Sequence, residues 1–310
     1  MKIKDVEIDE TFAEGFGMYA SRVLITAKSL KWAKIAAEKA TGYGTSTIHC
    51  DSEAGIDKVV PASETPDNRP GVSVIFCVQN KKKMDDVLLN RIGQCVLTSP
   101  TSACFDWLPE DKLEHKKTFE VKTGFKLKFF GDGFEEKTEL DFNGKKISAW
   151  KIPVMDGHFV IESKIKVTKI AGGGNFMVMG DTLEHTLAAC EKAVEIMMEV
   201  DGVVLPFPGG FVRSPSKLGS KKYSKFLDAS TNEPLCPVLK DKIEDSKVPE
   251  GSTAGYEFVI NGFDADRVKQ AMKAGIMTLC DQPGIMKITA GNYGGKLGKI
   301  MYHLQEILES

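Results

Sequence analysis

Three features of the sequence predict an α+β fold: a strand–helix–strand pattern that occurs four times, a glycine after each predicted helix, and one long aperiodic connection in the second half. The first copy joins a β-branched strand at 23–27 to a helix carrying Trp32, Ile35 and Ala36, then passes Gly42 to a strand at 45–50. The second joins 74–78 to a helix with Met84, Leu88 and Ile92, followed by Gly93 and a strand at 95–98. In the third, 176–179 leads to a helix whose stripe is Leu183, Leu187, Cys190, Val194 and Met197, then to Gly202 and a strand at 203–205. The fourth runs from 256–260 through Val268, Met272, Ile276 and Leu279 to Gly284 and a strand at 285–289. Glycine recurs because the position just past a helix favours a left-handed conformation that penalises a Cβ.

Two copies in succession give strand, helix, strand, strand, helix, strand, which is the ferredoxin-like order. The expectation is therefore two ferredoxin-like α/β-sandwich lobes, residues 1–150 and 151–310. They would join near Trp150, between a charged, hairpin-like stretch at 125–142 and the run that begins at Ile152. The connection at 206–252 is a long insertion in the C-terminal lobe, and loops of about 45 residues inside compact domains are functional or disordered. Its Pro208-Gly209-Gly210, Arg213, Lys217, Lys221, Lys222 and Ser230-Thr231-Asn232 suit polar recognition more than free solvation.

With 42% hydrophobic and 27% charged residues among 310, the chain can bury a substantial core. Its 41 basic residues nearly cancel 43 acidic ones, so no overall field draws it to nucleic acid or anionic membrane. No apolar run approaches a membrane span, and the first ten residues alternate charge with Ile3, Val6 and Ile8, unlike a signal peptide. A cytoplasmic protein is expected. The seven cysteines are widely scattered, with no close pair to grip zinc or shuttle electrons, and read as buried free thiols.

Gly172-Gly173-Gly174 before Asn175 lacks the lysine and hydroxyl residue of a nucleotide-phosphate loop. It reads either as a sharp entry into a strand or as backbone amides offered to a ligand, and Gly291, Asn292, Gly294 and Gly295 carry the same two readings. Glu257, inside the strand at 256–260, alternates onto the face of Val259 and Asn261. It is either an edge glutamate facing water or a partly buried carboxyl whose pKa rises toward neutrality, as acid–base work requires. His49, His115, His158, His185 and His303 show no metal-ligand spacing, no serine or cysteine sits in a nucleophile elbow, and His49-Cys50 is read as structural. Arg213, Lys217, Lys221 and Lys222 could meet an anionic substrate tail or simply be solvated.

Several strings resemble one family in register: RVLITA from Arg22, ATGYGTS from Ala40, EAGID from Glu53, ETPDNRPGV from Glu64 and RIGQCV from Arg91. FFGDG from Phe129, KIPV from Lys151, PFPGG from Pro206, SKLGSK from Ser216 and ASTN from Ala229 follow. EFVING from Glu257, QPG from Gln282 and AGNYGGKLG from Ala290 complete a collinear match. Together they resemble the formylmethanofuran:tetrahydromethanopterin formyltransferases from the amino terminus to about His303. The departures are Cys50-Asp51-Ser52-Glu53, extra residues at 147–150 and 224–228, and the absence of an acidic excess.

The resemblance implies a cytoplasmic homotetramer of two-lobed subunits, acting in methanogenesis or C1 oxidation. It implies reversible transfer of a formyl group from formylmethanofuran to tetrahydromethanopterin in a non-covalent ternary complex, with no metal, flavin or nucleotide cofactor. The glutamate matching Glu257 is the implied catalytic group. Asn175, Pro208, Gly209, Gly210, Ser230, Thr231 and Asn232 are expected in the substrate cleft, with Arg213, Lys217 and Lys221 near the acidic substrate tails. Two alternatives stand beside this: one subunit of a formyltransferase/hydrolase complex, and a non-catalytic pterin-binding module.

Overall fold

The computed structural model describes residues 1–109, 118–214 and 216–310, so His115 lies outside the described residues. Helices and strands mix in two compact units, Met18–Ile170, and Met1–Gly17 with Ala171–Ser310. Both boundaries fall within long strands, after Gly17 and after Ile170, whereas Trp150 lies inside the strand Lys145–Val154.

In the unit Met18–Ile170 the order is β1 (Phe12–Thr26, which begins before the boundary), α1 (Leu30–Thr41), β2 (Glu53–Val60), β3 (Gly71–Val78), α2 (Lys83–Arg91) and β4 (Ala103–Asp106). β1 pairs antiparallel with β3 and β4, and β2 with β3, so the strands lie β2-β3-β1-β4 across the sheet. The core packs Val23, Ile25, Val74 and Phe76 against Ala33, Ala36, Ala37 and Ala40 of α1 and against Met84 and Leu88 of α2.

Several expectations are corrected here. The buried stripe of α1 is alanine, spaced so that the helix lies close to the sheet, while Trp32 and Ile35 face outward. Residues 46–50 form a turn, in which the Cys50 N–H donates to the Ser46 carbonyl, and the strand begins only at Glu53. Gly42 is not left-handed (φ −54°): its carbonyl accepts from the buried Arg91, which also binds the Ala40 carbonyl, and the positive φ falls on Tyr43. Gly93 lies inside a π-helical turn, Ile92–Val96, that extends α2 into the expected strand at 95–98, whose last two residues are turn. The hairpin pairs Glu136–Phe142 with Lys145–Val154, later than 125–142, because Thr123–Leu127 is helical.

In the other unit the order is β5 (Ile165–Gly180), α3 (Leu183–Met197), β6 (Val203–Val204), β7 (Ser216–Leu218), β8 (Ala229–Thr231), β9 (Ala254–Gly262), α4 (Ala265–Cys280) and β10 (Ile285–Thr289). β9 pairs antiparallel with β5 and β6, and β5 with β10, so the strands lie β6-β9-β5-β10. β7 and β8 form a separate two-stranded ribbon. Thr182 caps α3 by accepting the His185 N–H, and Asp264 caps α4 by accepting the Arg267 N–H. Gly202 and Gly284 take the expected left-handed φ of 77°; at Gly284 a Cβ would also collide with Asp181 and His185.

One face of this sheet, with Phe176, Val178, Phe258 and Ile260, packs against Ala189 and Cys190 of α3 and Val268, Met272, Ile276 and Leu279 of α4. Leu183 and Leu187 are exposed, contrary to the expected stripe; Thr186, Ala189 and Ala193 take the buried side of α3. The long connection carries short ordered elements, including Pro208–Gly210 and Pro237–Lys242 as 3-10 turns. All seven cysteines are free; Cys77, Cys104, Cys190 and Cys280 are buried as expected, while Cys50, Cys95 and Cys236 are only half-buried. Among the described residues no helix is long and apolar enough to cross a membrane.

In the first sheet Arg22 donates to Asp57 at 2.9 Å, with both side chains 3% exposed. Asp57→Ala removes one buried carboxylate partner of that guanidinium, so a loss of roughly 3–5 kcal/mol is expected in urea-induced unfolding.

Candidate functional site

Glu257 sits in the interior of β9, with Met177 of β5 opposite it on one side. On its other side Val212 closes a two-way bridge, accepting the Glu257 N–H at 3.0 Å and donating to the Glu257 carbonyl at 2.8 Å. It is therefore not an edge residue. Because Phe258 points into the helix-covered core, Glu257 points to the opposite face, which the long connection covers. Burial pushes the Glu257 carboxyl up to about 7, and a backbone N–H from Ser216 pulls in the other direction. The residue as a whole is half-buried.

The register extends outward from there. Met177 also faces Thr289 of β10, so Glu257, Met177 and Thr289 form a row across three strands, about 10 Å from end to end. Met177 and Met179 pack against Leu235 and Val248 of the connection. Beside them lies a cavity of about 420 Å³, lined by Thr289, Gly291 and Asn292 on the sheet side and by Asn232, Leu235 and Lys247 on the connection side. Residues 9–11 complete its wall.

The two glycine-rich segments meet through Asn175, whose side chain accepts the Gly291 N–H at 2.8 Å and donates to the Gly291 carbonyl at 3.1 Å. Residues 293–298 are then held by Glu14, whose carboxylate accepts backbone N–H groups from Tyr293 (2.5 Å), Gly295 (2.7 Å), Leu297 (2.7 Å) and Gly298 (2.9 Å). Burial pushes the Glu14 carboxyl up, but the four donors outweigh it and hold the group down at about 2.

The remaining expected residues divide. Asn232 reaches the cavity, and Ser230 lies opposite Lys217 in the β7–β8 ribbon, next to Thr231. Lys217 and Lys221 both bind Glu233, the latter at 2.6 Å, and these two cations hold the Glu233 carboxyl at about 2. Arg213 is exposed. Pro208 and Gly209 are exposed on their turn, and Gly210 abuts Val194 of α3, so none of the three lines the cavity. Sequence reasoning missed Glu14, Ser216 and Glu233. Their partners lie far away in the chain or depend on an irregular connection, and no local pattern announces them.

In the unit Met18–Ile170 a larger cavity of about 740 Å³ is mostly apolar, bounded by Leu97, Phe130, Pro153 and Met155. Its one ionisable lining residue, Asp156, already accepts the Thr101 N–H at 2.8 Å. Among the described residues no group of three or more His, Cys, Asp or Glu side chains is gathered to hold a metal.

Two family models match the chain: one described as formylmethanofuran-tetrahydromethanopterin formyltransferase over residues 1–154, and one described as FTR, proximal lobe, over 157–307. The chain is 53% identical over 307 residues to the formylmethanofuran–tetrahydromethanopterin formyltransferase of Methanothermus fervidus, covering 99% of this chain and 100% of that one. The enzyme of the same name from Methanothermobacter thermautotrophicus is 52% identical over the same shares. Among solved structures, the formyltransferase of Methanosarcina barkeri superposes with a TM-score of 0.91 at 46% identity, covering 99% of this chain and 100% of that one. A chain of the formyltransferase/hydrolase complex of Methylorubrum extorquens, solved with methylofuran, superposes with a TM-score of 0.93 at 38% identity, covering 100% and 99%.

The Glu14 contacts have a pH signature. With a folded pKa near 2 against an ordinary 4.5, the stabilisation is fully present above about pH 4.5 and is lost as pH falls toward 2. Glu14→Gln is expected to melt below the parent at neutral pH, with the gap closing in acid; thermal unfolding across that range checks it.

Proposed function

The chain belongs to the formylmethanofuran–tetrahydromethanopterin formyltransferase family, and we propose that Glu257 is the acid–base group of its reaction. The enzyme is a formyltransferase that reversibly moves a formyl group from formylmethanofuran to tetrahydromethanopterin. A pterin nitrogen attacks the formyl carbon, the carbonyl oxygen takes up charge in a tetrahedral intermediate, and the bond to the methanofuran nitrogen then breaks. The attacking nitrogen sheds one proton and the departing nitrogen gains one. A single carboxyl that titrates near neutrality balances that exchange: ionised it takes the pterin proton, and protonated it donates to the oxyanion or the departing nitrogen. The observation that carries this reading is the Glu257 carboxyl raised by burial to about 7 on the face away from the helices.

In this reading both substrates bind together and no covalent enzyme intermediate forms. Transfer between two nitrogens calls for alignment, a proton relay and charge stabilisation, so no metal, flavin or nucleotide is assigned a step. Asn232 in the cavity and Asn175 beside it support a cleft along the sheet for the flat pterin. Ser230, Thr231 and the turn at Pro208, Gly209 and Gly210 are assigned to the same cleft, and Arg213, Lys217 and Lys221 to its charged margin. Each sheet runs in the order second, third, first, fourth strand, all antiparallel, which supports two ferredoxin-like lobes. A cytoplasmic homotetramer in methanogenesis or C1 oxidation belongs to the same reading.

A second reading makes the chain a subunit of a formyltransferase/hydrolase complex, as in the Methylorubrum extorquens structure. The transfer chemistry would be the same, and the 53% identity to a relative named for the transferase alone favours the first. A non-catalytic pterin-binding module would leave the raised carboxyl without a role.

Glu257→Gln is expected to lower kcat by about 10²–10⁴ with both substrates still bound, followed by absorbance of the formylated pterin. The wild-type kcat/KM profile is expected to show a limb near pH 7 that the variant lacks. A limb rising with pH assigns the carboxylate as base; a falling limb assigns the acid.

A further inference from the structure

The cover over Glu257 has little stability of its own. Val212 exchanges both backbone hydrogen bonds with Glu257, and Ser216, whose N–H lowers the Glu257 carboxyl's pKa against burial, opens the β7–β8 ribbon. That ribbon pairs Ser216 with Thr231, Lys217 with Ser230, and Leu218 with Ala229, with the Gly219 N–H donating to the Asp228 carbonyl at 2.7 Å, and an isolated two-stranded ribbon is marginal in water. Its position depends on anchors. One is the Tyr293 hydroxyl, which accepts the Leu218 N–H at 3.1 Å. The other is Glu233, two residues beyond β8, whose carboxylate takes Lys217 on one oxygen and Lys221 on the other. The Glu233 side chain is 13% exposed and that of Lys217 23%, so the Lys217 half of this clamp is more than a solvated surface pair, while Lys221, 80% exposed, adds a solvated one.

We propose that Glu233 is a positioning residue for Glu257: by clamping Lys217 and Lys221 it holds the Ser216 N–H against the acid–base carboxyl. The inference rests on the assignment of Glu257 above and moves Lys217 and Lys221 from substrate-tail contacts to parts of that clamp. Lys217 follows Ser216 directly, so a shift of its ammonium is transmitted to the Ser216 amide through one residue. The other charged groups on this face leave the clamp's role distinct. Lys287 of β10 is bound to Asp9 at 2.9 Å and to Glu7 at 3.4 Å. The charge of Arg213 acts on the Tyr256 hydroxyl, and Lys247 lines the cavity. Asn175, Met177 and Met179 of β5 carry no charge. Ser216 is thus the group that favours the ionised carboxylate against burial, and Glu233 keeps it in place.

The test is an infrared pH titration of the full chain, in which the protonated-carboxyl band lost in Glu257→Gln identifies Glu257. In wild type its midpoint is expected near 7. In Glu233→Gln it is expected about one pH unit higher, the value of one hydrogen bond to a carboxylate. Lys217→Met, which opens the clamp from the other side, should shift it likewise, and Lys217→Arg should restore the wild-type midpoint. The kcat/KM limb moves with the band, whereas loss of a substrate contact would raise KM and leave the midpoint alone. An unmoved midpoint in folded Glu233→Gln and Lys217→Met overturns the clamp, as does the absence of any titrating band that depends on Glu257. Full turnover by Glu257→Gln would instead remove the acid–base assignment, while the band shift still decides the positioning role.

Discussion

Strand register carries the site. Opposite residues of paired strands share a face, so the pairing of Met177 with both Glu257 and Thr289 places the carboxyl, the cavity wall and the methionine floor on one side. A slip of one residue would send Glu257 into the helix core and Phe258 into the cleft, an arrangement that both hydrophobic burial and charge desolvation oppose. The stacked Phe176–Phe258 pair, with ring centroids 4.6 Å apart on the far side of the same strands, penalises that slip. Apolar packing on one face is thus what holds an ionisable group on the other.

The two units use one strand order for different ends. In Met18–Ile170 the second and third strands of the order are joined by residues 61–70, a short turn in which Thr65, Asp67 and Arg69 satisfy one another. In the other unit residues 205–253 occupy the corresponding place and become the cover of the sheet. The family strings divide in the same way. Those of the first half hold turns and helix ends together, as Arg91 does through the carbonyls of Ala40 and Gly42. Of those in the second half, ASTN and AGNYGGKLG reach the cavity, through Asn232 and through Ala290 to Asn292.

The fourth strand–helix–strand copy was legible almost entirely, because Val268, Met272, Ile276 and Leu279 form a stripe of large side chains at helical spacing. The first copy misled where its buried stripe was alanine and its larger apolar residues faced outward; hydropathy weights Trp32 and Ile35 above the residues that pack. The strand alternation placed Glu257 on the correct face with Val259 and Asn261. Its interior position could not be read, since it depends on Val212 arriving from an irregular connection. Glu14 was illegible for a related reason: its four donors lie on a segment 279–284 residues further along the chain.

The small size of the β7–β8 ribbon bears on how a bulky substrate pair gains access. Three residue pairs, the Gly219–Asp228 bond beyond them, a carboxylate clamp and one tyrosine hydroxyl form a unit far weaker than the sheet beneath it, whose strands are anchored by two helices. Partial unfolding can therefore be confined to the cover, at a free-energy cost set by the ribbon and not by global denaturation. Amide protons on β7 and β8 then exchange with solvent long before those of β5 and β9. Admission to the cleft and integrity of the fold become separately adjustable properties of one chain.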